Sequence, residues 1–247
     1  MDGTNGLAGI YRRAELYETI YRGRGKDYAA DSARVTALVR EHHPSAASLL
    51  DVACGTGSHL RYFAKEFDHV EGVDLAADMV RLARRNLPGV PVHQGDMRDF
   101  RLDRTFDAIT CMFSSIGYLR DADELTAALE CFGRHLAPGG VIVLEPWWFP
   151  ERALARHVVG DVVTVDGRTV SRVSHAVRRG AAHHMEVHYL VADPDAGIQH
   201  FTDTHVLALF EREQYEAAFA RAGCRVEYLG PEETSPGLFV GVRTGEE

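Results

Sequence analysis

The chain has 247 residues, 45% hydrophobic and 26% charged, with a formal net charge of −9. That length suits one good-sized domain or a domain carrying a large insertion. The acidic balance argues against a nucleic acid partner, because binding a phosphate backbone needs a basic surface. Residues 1–9 are expected to be frayed. Between 10 and 43, Tyr11, Leu16, Tyr17, Ile20 and Tyr21 fall near helical spacing, interrupted by the basic stretch Arg22-Gly23-Arg24-Gly25-Lys26. From residue 48 strands and helices alternate. Strands are expected at Ser48–Ala53, His69–Asp74, Val90–Gln94, Phe106–Met112 and Gly140–Pro146, with helices at Ser58–Phe67, Ala77–Asn86 and Ala122–His135. Such alternation builds a parallel sheet covered by helices on both faces.

The pattern then changes. Asp161–Val165, Thr169–Val177, His183–Ala192 and His200–Phe210 read as consecutive strands. The turns between them are Asp166-Gly167, Arg179-Gly180 and Pro194-Asp195-Ala196-Gly197. Short turns between successive strands imply an antiparallel layer, read here as an insertion. A last helix, Glu213–Ala222, is stopped by Gly223, and Val226–Leu229 with Leu238–Val242 closes the sheet. The expected division is therefore residues 1–150 with 211–247 as one domain, and 151–210 as the inserted layer.

No apolar run is long enough to span a membrane, and the N-terminus lacks a basic-then-apolar leader. Cys54, Cys111, Cys131 and Cys224 are scattered and read as thiols of a reducing compartment rather than disulfides or a zinc site. The expected location is the cytoplasm.

Leu49-Leu50-Asp51-Val52-Ala53-Cys54-Gly55-Thr56-Gly57 is the most informative stretch. A buried strand ends in an acid and runs straight into a glycine turn, where a ligand can approach bare backbone. Asp74 ends the second strand, placed to accept two hydrogen bonds from a ribose diol. That acid would serve a nicotinamide cofactor equally well, and Asp74 or Asp96 could each simply cap a helix. Two features decide. The loop Gly55-Thr56-Gly57-Ser58-His59-Leu60 lacks the third glycine of the dehydrogenase fingerprint. Gln94-Gly95-Asp96-Met97-Arg98-Asp99-Phe100 then follows the third strand, with an acid for an adenine amino group and Met97 to lie on the ring. With Pro138-Gly139-Gly140 before the fifth strand, the set resembles the class I S-adenosylmethionine-dependent methyltransferases.

More specific strings narrow the resemblance. They are Gly23-Arg24-Gly25-Lys26-Asp27-Tyr28, Cys111-Met112-Phe113-Ser114-Ser115-Ile116-Gly117-Tyr118, Glu145-Pro146-Trp147-Trp148-Phe149-Pro150, Ser171-Arg172-Val173-Ser174-His175 and Gly237-Leu238-Phe239-Val240-Gly241. Over roughly residues 11 to 242 the chain resembles the N,N-dimethyltransferases of TDP-amino sugars, which make dimethylamino sugars such as desosamine and mycaminose. The resemblance implies an α/β class I methyltransferase fold: a Rossmann-like, mainly parallel sheet with an inserted antiparallel β-sheet, in a homodimer. It implies S-adenosyl-L-methionine as donor and a TDP-linked aminohexose as acceptor. Phe113-Ser114-Ser115-Ile116-Gly117 looks more like the members that act on 3-amino sugars than those for 4-amino sugars. Two positions depart from the family pattern: Asp74 stands where a glutamate is usual, and Pro236 stands where many members have a diphosphate-binding arginine. The diphosphate must then lean on other cations, of which Arg172, Arg178 and Arg243 are candidates.

The expected donor site comprises Tyr17, Tyr28, Asp51, Ala53, Gly55, Gly57, Asp74, Asp96, Met97 and Met112, with the N-terminal segment implied as a lid that excludes water. The expected acceptor site comprises Ser115, Trp147, Trp148, Arg172 and Arg178. Tyr118, after the fourth strand, is the first candidate beside the reacting amine, although a tyrosine of ordinary pKa about 10 is a poor base. His175 is the rival, on a strand with Arg172 and Ser174. Tyr118, Trp147, Trp148 and the N-terminal tyrosines are equally compatible with plain packing, and Arg24 and Lys26 with a solvated loop. His184, Glu186 and His188 share a strand face, but nothing metal-like accompanies them and methyl transfer to nitrogen needs no metal, so none is expected. Alternatives are an O- or C-methyltransferase of another small metabolite, and a non-catalytic module that senses the donor. A nucleic acid methyltransferase is disfavoured by the charge and by the lack of an Asn-Pro-Pro-Tyr motif.

Overall fold

The computed structural model describes residues 9–231 and 235–245. Seven strands form one sheet: β1 (Ser48–Val52), β2 (His69–Asp74), β3 (Val92–Gln94), β4 (Phe106–Cys111), β5 (Leu136–Leu144), β10 (Cys224–Leu229) and β11 (Leu238–Arg243). Their spatial order is β10-β11-β5-β4-β1-β2-β3. Every pairing among β1 to β5 is parallel, whereas β11 runs antiparallel to both neighbours. The order reverses between β1 and β4, and in open sheets the crevice outside the strand ends at such a switch point is where ligands bind.

The flanking helices are α3 (Leu60–Phe63), α4 (Ala77–Asn86), α5 (Ala122–His135) and α6 (Arg212–Arg221). α5 begins where the Asp121 side chain accepts the Glu124 N–H, and α6 begins with a capping box between Glu211 and Gln214. One apolar core (Leu50, Phe106, Ile109, Phe132, Ile142, Phe239) fills one side of the sheet, and a second (Leu49, Leu60, Phe63, Val80, Val141) the other. The sequence reading put a helix over Ser58–Phe67. Regular α-helix is confined to Leu60–Phe63, because residues 55–59 are spent in the turn that follows β1.

A second sheet, order β6-β7-β8-β9, is antiparallel throughout: β6 (Arg156–Val165), β7 (Arg168–Arg179), β8 (Ala182–Asp193) and β9 (Gly197–Ala208). β6 begins five residues before its expected start, β7 and β8 extend by one or two residues at each end, and β9 is shifted towards the N-terminus, Gly197–Ala208 instead of His200–Phe210. The N-terminal helices α1 (Ala14–Gly23) and α2 (Tyr28–His42) complete the chain. α1 buries Leu16 and Ile20 against Val163, Val170, Val187 and Tyr189 of the second sheet. Ala14 packs instead with Ala76, Met79 and Leu82 beside α4. Burying such aliphatic side chains is worth roughly 1.5–3 kcal/mol each, so α1 bridges the two sheets. Asp203 of β9 ties this segment down further by accepting the N–H groups of Gly9 and Ile10, each at 2.7 Å. None of the described helices is long and apolar enough to cross a membrane.

Candidate active site

The turn after β1 is built from unusual backbone. Ala53, Gly55 and Gly57 all have positive φ, at 57°, 57° and 83°. A side chain at Gly57 would press within 2.7 Å of Leu87, whereas the space beside Gly55 is open. Asp74, at the end of β2, accepts the N–H of Gly55 at 2.8 Å and the N–H of Ala76 at 2.8 Å. It therefore fixes the glycine turn and, through the i,i+2 bond to Ala76, the bend that leads into α4; the helix's own N-cap is Ala76, so Asp74 does not cap it. Burial raises its pKa, and the two backbone bonds pull the other way.

Asp51 lies across the switch point from Thr110, whose Oγ1 donates to Oδ1 at 2.8 Å. Its other oxygen, Oδ2, is buried without a partner, and burial pushes the carboxyl up to about 6. An orphaned buried carboxylate oxygen is costly, and it fits a site completed by a cationic group. Asp96 is gripped by Arg98, with Nε to Oδ1 at 2.9 Å and Nη2 to Oδ2 at 2.5 Å. Burial alone would raise Asp96, but the Arg98 bonds outweigh it and hold the carboxyl below its usual range. Oδ1 also accepts the Arg98 backbone N–H at 3.0 Å, so the lone pair left to offer an adenine amino group is on Oδ2. Met97 packs half-buried on the core beside it, and Met112 is buried after β4. The residues of this edge fit S-adenosylmethionine: a diol acceptor, a polarised glycine turn, an adenine wall and an unsatisfied acid.

Above this edge sits a cluster of tyrosines. Tyr17 lies 4.5 Å from Tyr21 and 5.8 Å from Tyr11 between ring centroids. Tyr21 meets Phe113 edge-on at 4.9 Å, and Tyr28 meets His59 at 4.9 Å. Tyr118 ends a 3-10 turn, Ser115–Tyr118, and its hydroxyl lies 2.7 Å from that of Tyr11 and 2.7 Å from His205 Nδ1. Burial keeps the phenols of Tyr17, Tyr28 and Tyr118 raised and protonated. Ser115 spends its hydroxyl on the Met112 carbonyl at 3.1 Å. Trp147 covers the same turn. A side chain on Gly117 would come within 2.9 Å of its Cβ, and its indole N–H donates to His183 Nδ1 at 3.4 Å. Trp148 stacks under the Arg152 guanidinium at 5.6 Å. Both tryptophans follow β5 rather than end it, since regular pairing stops at Leu144.

Arg172 is buried on the inner face of β7, donating to Ser174 Oγ at 3.1 Å and pointing another nitrogen at Met185 Sδ. Among the described residues no carboxylate stands within ion-pair distance of it. The other proposed cations are differently placed. Arg178 is exposed and donates to the carbonyls of Pro150 and Gly180. Arg243 donates to the carbonyls of Gly133 and Leu136. β11 is antiparallel, so its end lies at the edge of the sheet opposite the glycine turn. His175 requires a correction of placement. Period two sets it on the face opposite Arg172 and Ser174, exposed beside Val158 and Glu186, and the structure does not bring it to the tyrosine cluster. Lys26 pairs with Asp31 at 2.6 Å and Arg24 with Asp161 at 3.3 Å, so both loop cations are engaged. His188 bonds Glu186 at 2.9 Å, and among the described residues no three metal-ligating groups converge.

The sequence reading missed three site residues. Tyr11 and His205 join Tyr118 only through the fold, and no local motif marks them. Glu145 accepts the N–H of Phe113 and shapes the loop before Tyr118. Its signal was present inside the Glu-Pro-Trp-Trp string but was read for its tryptophans.

Comparison with known proteins gives the family. Residues 49–140 match the family model described as a methyltransferase domain. A Streptomyces venezuelae dTDP-3-amino-3,4,6-trideoxy-alpha-D-glucopyranose N,N-dimethyltransferase is 56% identical over 93% of this chain and 97% of its own. A Saccharopolyspora spinosa dTDP-4-amino-2,3,4,6-tetradeoxy-D-glucose N,N-dimethyltransferase is 46% identical over 93% of this chain and 92% of its own. The solved structure of S-adenosylmethionine-bound CalS10, an amino pentose methyltransferase from Micromonospora echinaspora, superimposes with a TM-score of 0.85 at 52% identity, covering 93% of this chain and 97% of that one. The chain has the class I methyltransferase fold, uses S-adenosylmethionine, and belongs to the family of TDP-amino-sugar N,N-dimethyltransferases.

Proposed function

We propose that the protein dimethylates the amino nitrogen of a TDP-3-amino-deoxyhexose, with Tyr118 beside the amine. The observation that carries this reading is the Ser115–Tyr118 turn. It lies against Trp147 on one side and Tyr11 and His205 on the other, and it belongs to the string that favours 3-amino members. The higher identity to the 3-amino relative than to the 4-amino one supports the same choice.

When bound, S-adenosylmethionine supplies an electrophilic methyl group for direct displacement by a neutral amine. The chain's residues do the rest. Asp74 would receive the ribose diol, Asp51 the charged amino-acid end, and Asp96 with Met97 the adenine. Tyr17 and Tyr28 cover the site, while Met112 and the backbone of Ala53, Gly55 and Gly57 form its floor. Ser115, Trp147 and Trp148 wall the sugar and thymine. Arg172 is the cation best placed for the diphosphate that Pro236 leaves unserved, because a buried guanidinium without a carboxylate gains most from an incoming anion. Holding amine and methyl in line can supply on the order of 7–11 kcal/mol.

Residues 151–210 are read as the layer that contributes to acceptor binding and to dimerisation. The outer face of β6–β9 exposes Val158, Val162, Val173, Leu190, Ile198 and Val206, and a second copy of this chain would cover them. A cytoplasmic location fits the reduced cysteines, all four of which are free and buried.

A turnover panel of TDP-3-amino and TDP-4-amino sugars, read by mass spectrometry, tests the substrate. A dimethylated 3-amino product formed in preference to the 4-amino product is expected. Faster turnover of the 4-amino sugar would favour that alternative, and a product methylated on oxygen or carbon would replace the reading altogether.

A further inference from the structure

We propose that His205 is a proton-accepting positioning residue, and that it draws the proton of the bound amine through the hydroxyl of Tyr118. The inference rests on the placement of Tyr118 beside the amine in the reading above. Three groups from separate parts of the chain form one hydrogen-bonded row: Tyr11 Oη, Tyr118 Oη at 2.7 Å, and His205 Nδ1 at a further 2.7 Å. Nδ1 can accept from a phenol only if the imidazole is neutral and its proton sits on Nε2. Tyr118 then donates to His205 and keeps oxygen lone pairs for Tyr11 and for a substrate N–H.

The chemistry requires such a sink. An amino sugar arrives mainly as an ammonium ion and must lose one proton before each methyl transfer. Tyr118 cannot be the base alone: part of its ring is exposed, but its hydroxyl is held between Tyr11 and His205, and desolvation there keeps the phenol protonated, so it can pass a proton on only as it gives up its own. The histidine can. Burial lowers its pKa, opposed by the nearby Asp203 carboxylate and assisted by Arg172, so its lone pair is free at neutral pH. In the step, an ammonium N–H bond breaks and its electron pair stays on nitrogen. A new O–H bond forms on Tyr118 as the original O–H proton moves to His205 Nδ1. The imidazolium, destabilised by its surroundings, then loses its proton to water, and the row is reset for the second transfer.

The groups that face His205 are few. Asp203 shares its strand face and is occupied by the N–H groups of Gly9 and Ile10. Tyr11 and Tyr118 contact it, Arg172 of β7 acts on it through space, and its cross-strand neighbour on β8 is Met185. Tyr21 of α1 and Tyr189 of β8 act on Tyr118 from further away.

The test compares wild type, His205→Gln and Tyr118→Phe. Positioned general bases are typically worth about 10²–10⁴-fold, and part of that is recovered when free amine comes from solution. His205→Gln is therefore expected to lower kcat about 10- to 100-fold at pH 7 with a small change in KM, and to regain rate steeply towards pH 9. Wild type is expected to be flatter over that range and to lose rate only at pH below the ordinary histidine value, as the imidazole protonates. A second readout needs no turnover: the His205 ring protons, followed by NMR without donor or acceptor, should titrate below the ordinary histidine value. That midpoint should rise in Tyr118→Phe, where the phenol no longer favours the neutral ring. Parallel pH profiles for wild type and His205→Gln, or a midpoint untouched by Tyr118→Phe, would overturn the relay. A wild type that makes no N-methyl product would instead overturn the substrate reading, and the NMR arm would still decide whether the row exists.

Discussion

Glu145 accepts the backbone N–H of Phe113 at 3.0 Å. That bond holds a loop that would not otherwise keep its shape. Phe113 and Ser114 both have positive φ, 59° and 56°, and non-glycine residues adopt that region at a cost of about 1–2 kcal/mol each. Ser114 Oγ adds a bond to the Pro146 carbonyl at 2.7 Å. Two successive left-handed residues turn the chain sharply after β4 and set the Ser115–Tyr118 turn against Trp147, Tyr11 and His205. Glu145→Ala leaves the Phe113 N–H unpaired in a mostly buried place, so a stability loss of about 1–3 kcal/mol is expected. Urea denaturation measures that loss. The same variant should raise KM for the acceptor while leaving the donor Kd within a few-fold, because the donor edge does not depend on this loop.

Asp74 is expected to dominate donor binding. Its carboxylate fixes the Gly55 turn, and the proposed function gives it the ribose diol as well. Asp74→Ala should weaken donor affinity by at least about 100-fold, since hydrogen bonds to a charged group are worth about 1.5–3 kcal/mol each. Asp74→Glu should stay within about tenfold of wild type. Calorimetric titration with S-adenosylhomocysteine distinguishes the outcomes, and an unchanged affinity in Asp74→Ala would remove this residue from the site.

The edge proposed for the donor was legible in the sequence as a set of strand ends, and the surroundings proposed for the acceptor only partly. Asp51, the glycine turn, Asp74 and Asp96 lie within or directly after strands of one parallel sheet. Linear order therefore fixes their common edge, and the strand His69–Asp74 and the helices Ala77–Asn86 and Ala122–His135 were read at their observed bounds. Tyr11, Tyr118 and His205 are separated by up to 194 positions, and they meet because α1 packs on the second sheet. No spacing rule foretells that contact. His175 shows the opposite failure. It neighbours Ser174 in sequence, yet one step along a strand inverts the face.

Asp51 should trade stability against function. Its pKa is raised from an unfolded value near 3.9 to about 6 in the folded chain. A raised carboxyl stabilises the fold fully only below the unfolded value, and that contribution is lost as pH climbs through about 6. Two units correspond to roughly 3 kcal/mol at about 1.4 kcal/mol per unit. Asp51→Asn removes the ionisation and keeps an acceptor for Thr110. In the absence of donor, the variant's Tm should therefore exceed that of wild type at pH 8, with the gap closing towards pH 4. Donor affinity should fall in the same variant. A gap that widens as pH falls would show that Asp51 is ionised favourably in the folded chain.

Assembly should depend on the outer face of the second sheet. Four strands at about 4.8 Å spacing, each some 11 residues long at about 3.4 Å per residue, present roughly 700 Å². A standard stable interface buries about 800 Å² per partner. Apart from Arg156 and Arg179 at one end, the charged side chains on this face reduce to Glu186 and the histidines 175, 184, 188 and 200. So weakly charged a surface offers little to an ionic partner and much to its own copy. Val173 lies on β7, one of the two central strands, exposed, with Gly160 and His188 as its cross-strand neighbours. Val173→Arg would place two guanidinium groups in the proposed symmetric interface against one carboxylate per copy, Glu186, with most of that charge unmatched, so a dimer formed through this face should dissociate to monomers at micromolar concentration in sedimentation velocity. The substitution touches no core side chain, so the far-ultraviolet dichroism should be unchanged. A dimer that persists in Val173→Arg would place the contact between copies on another surface.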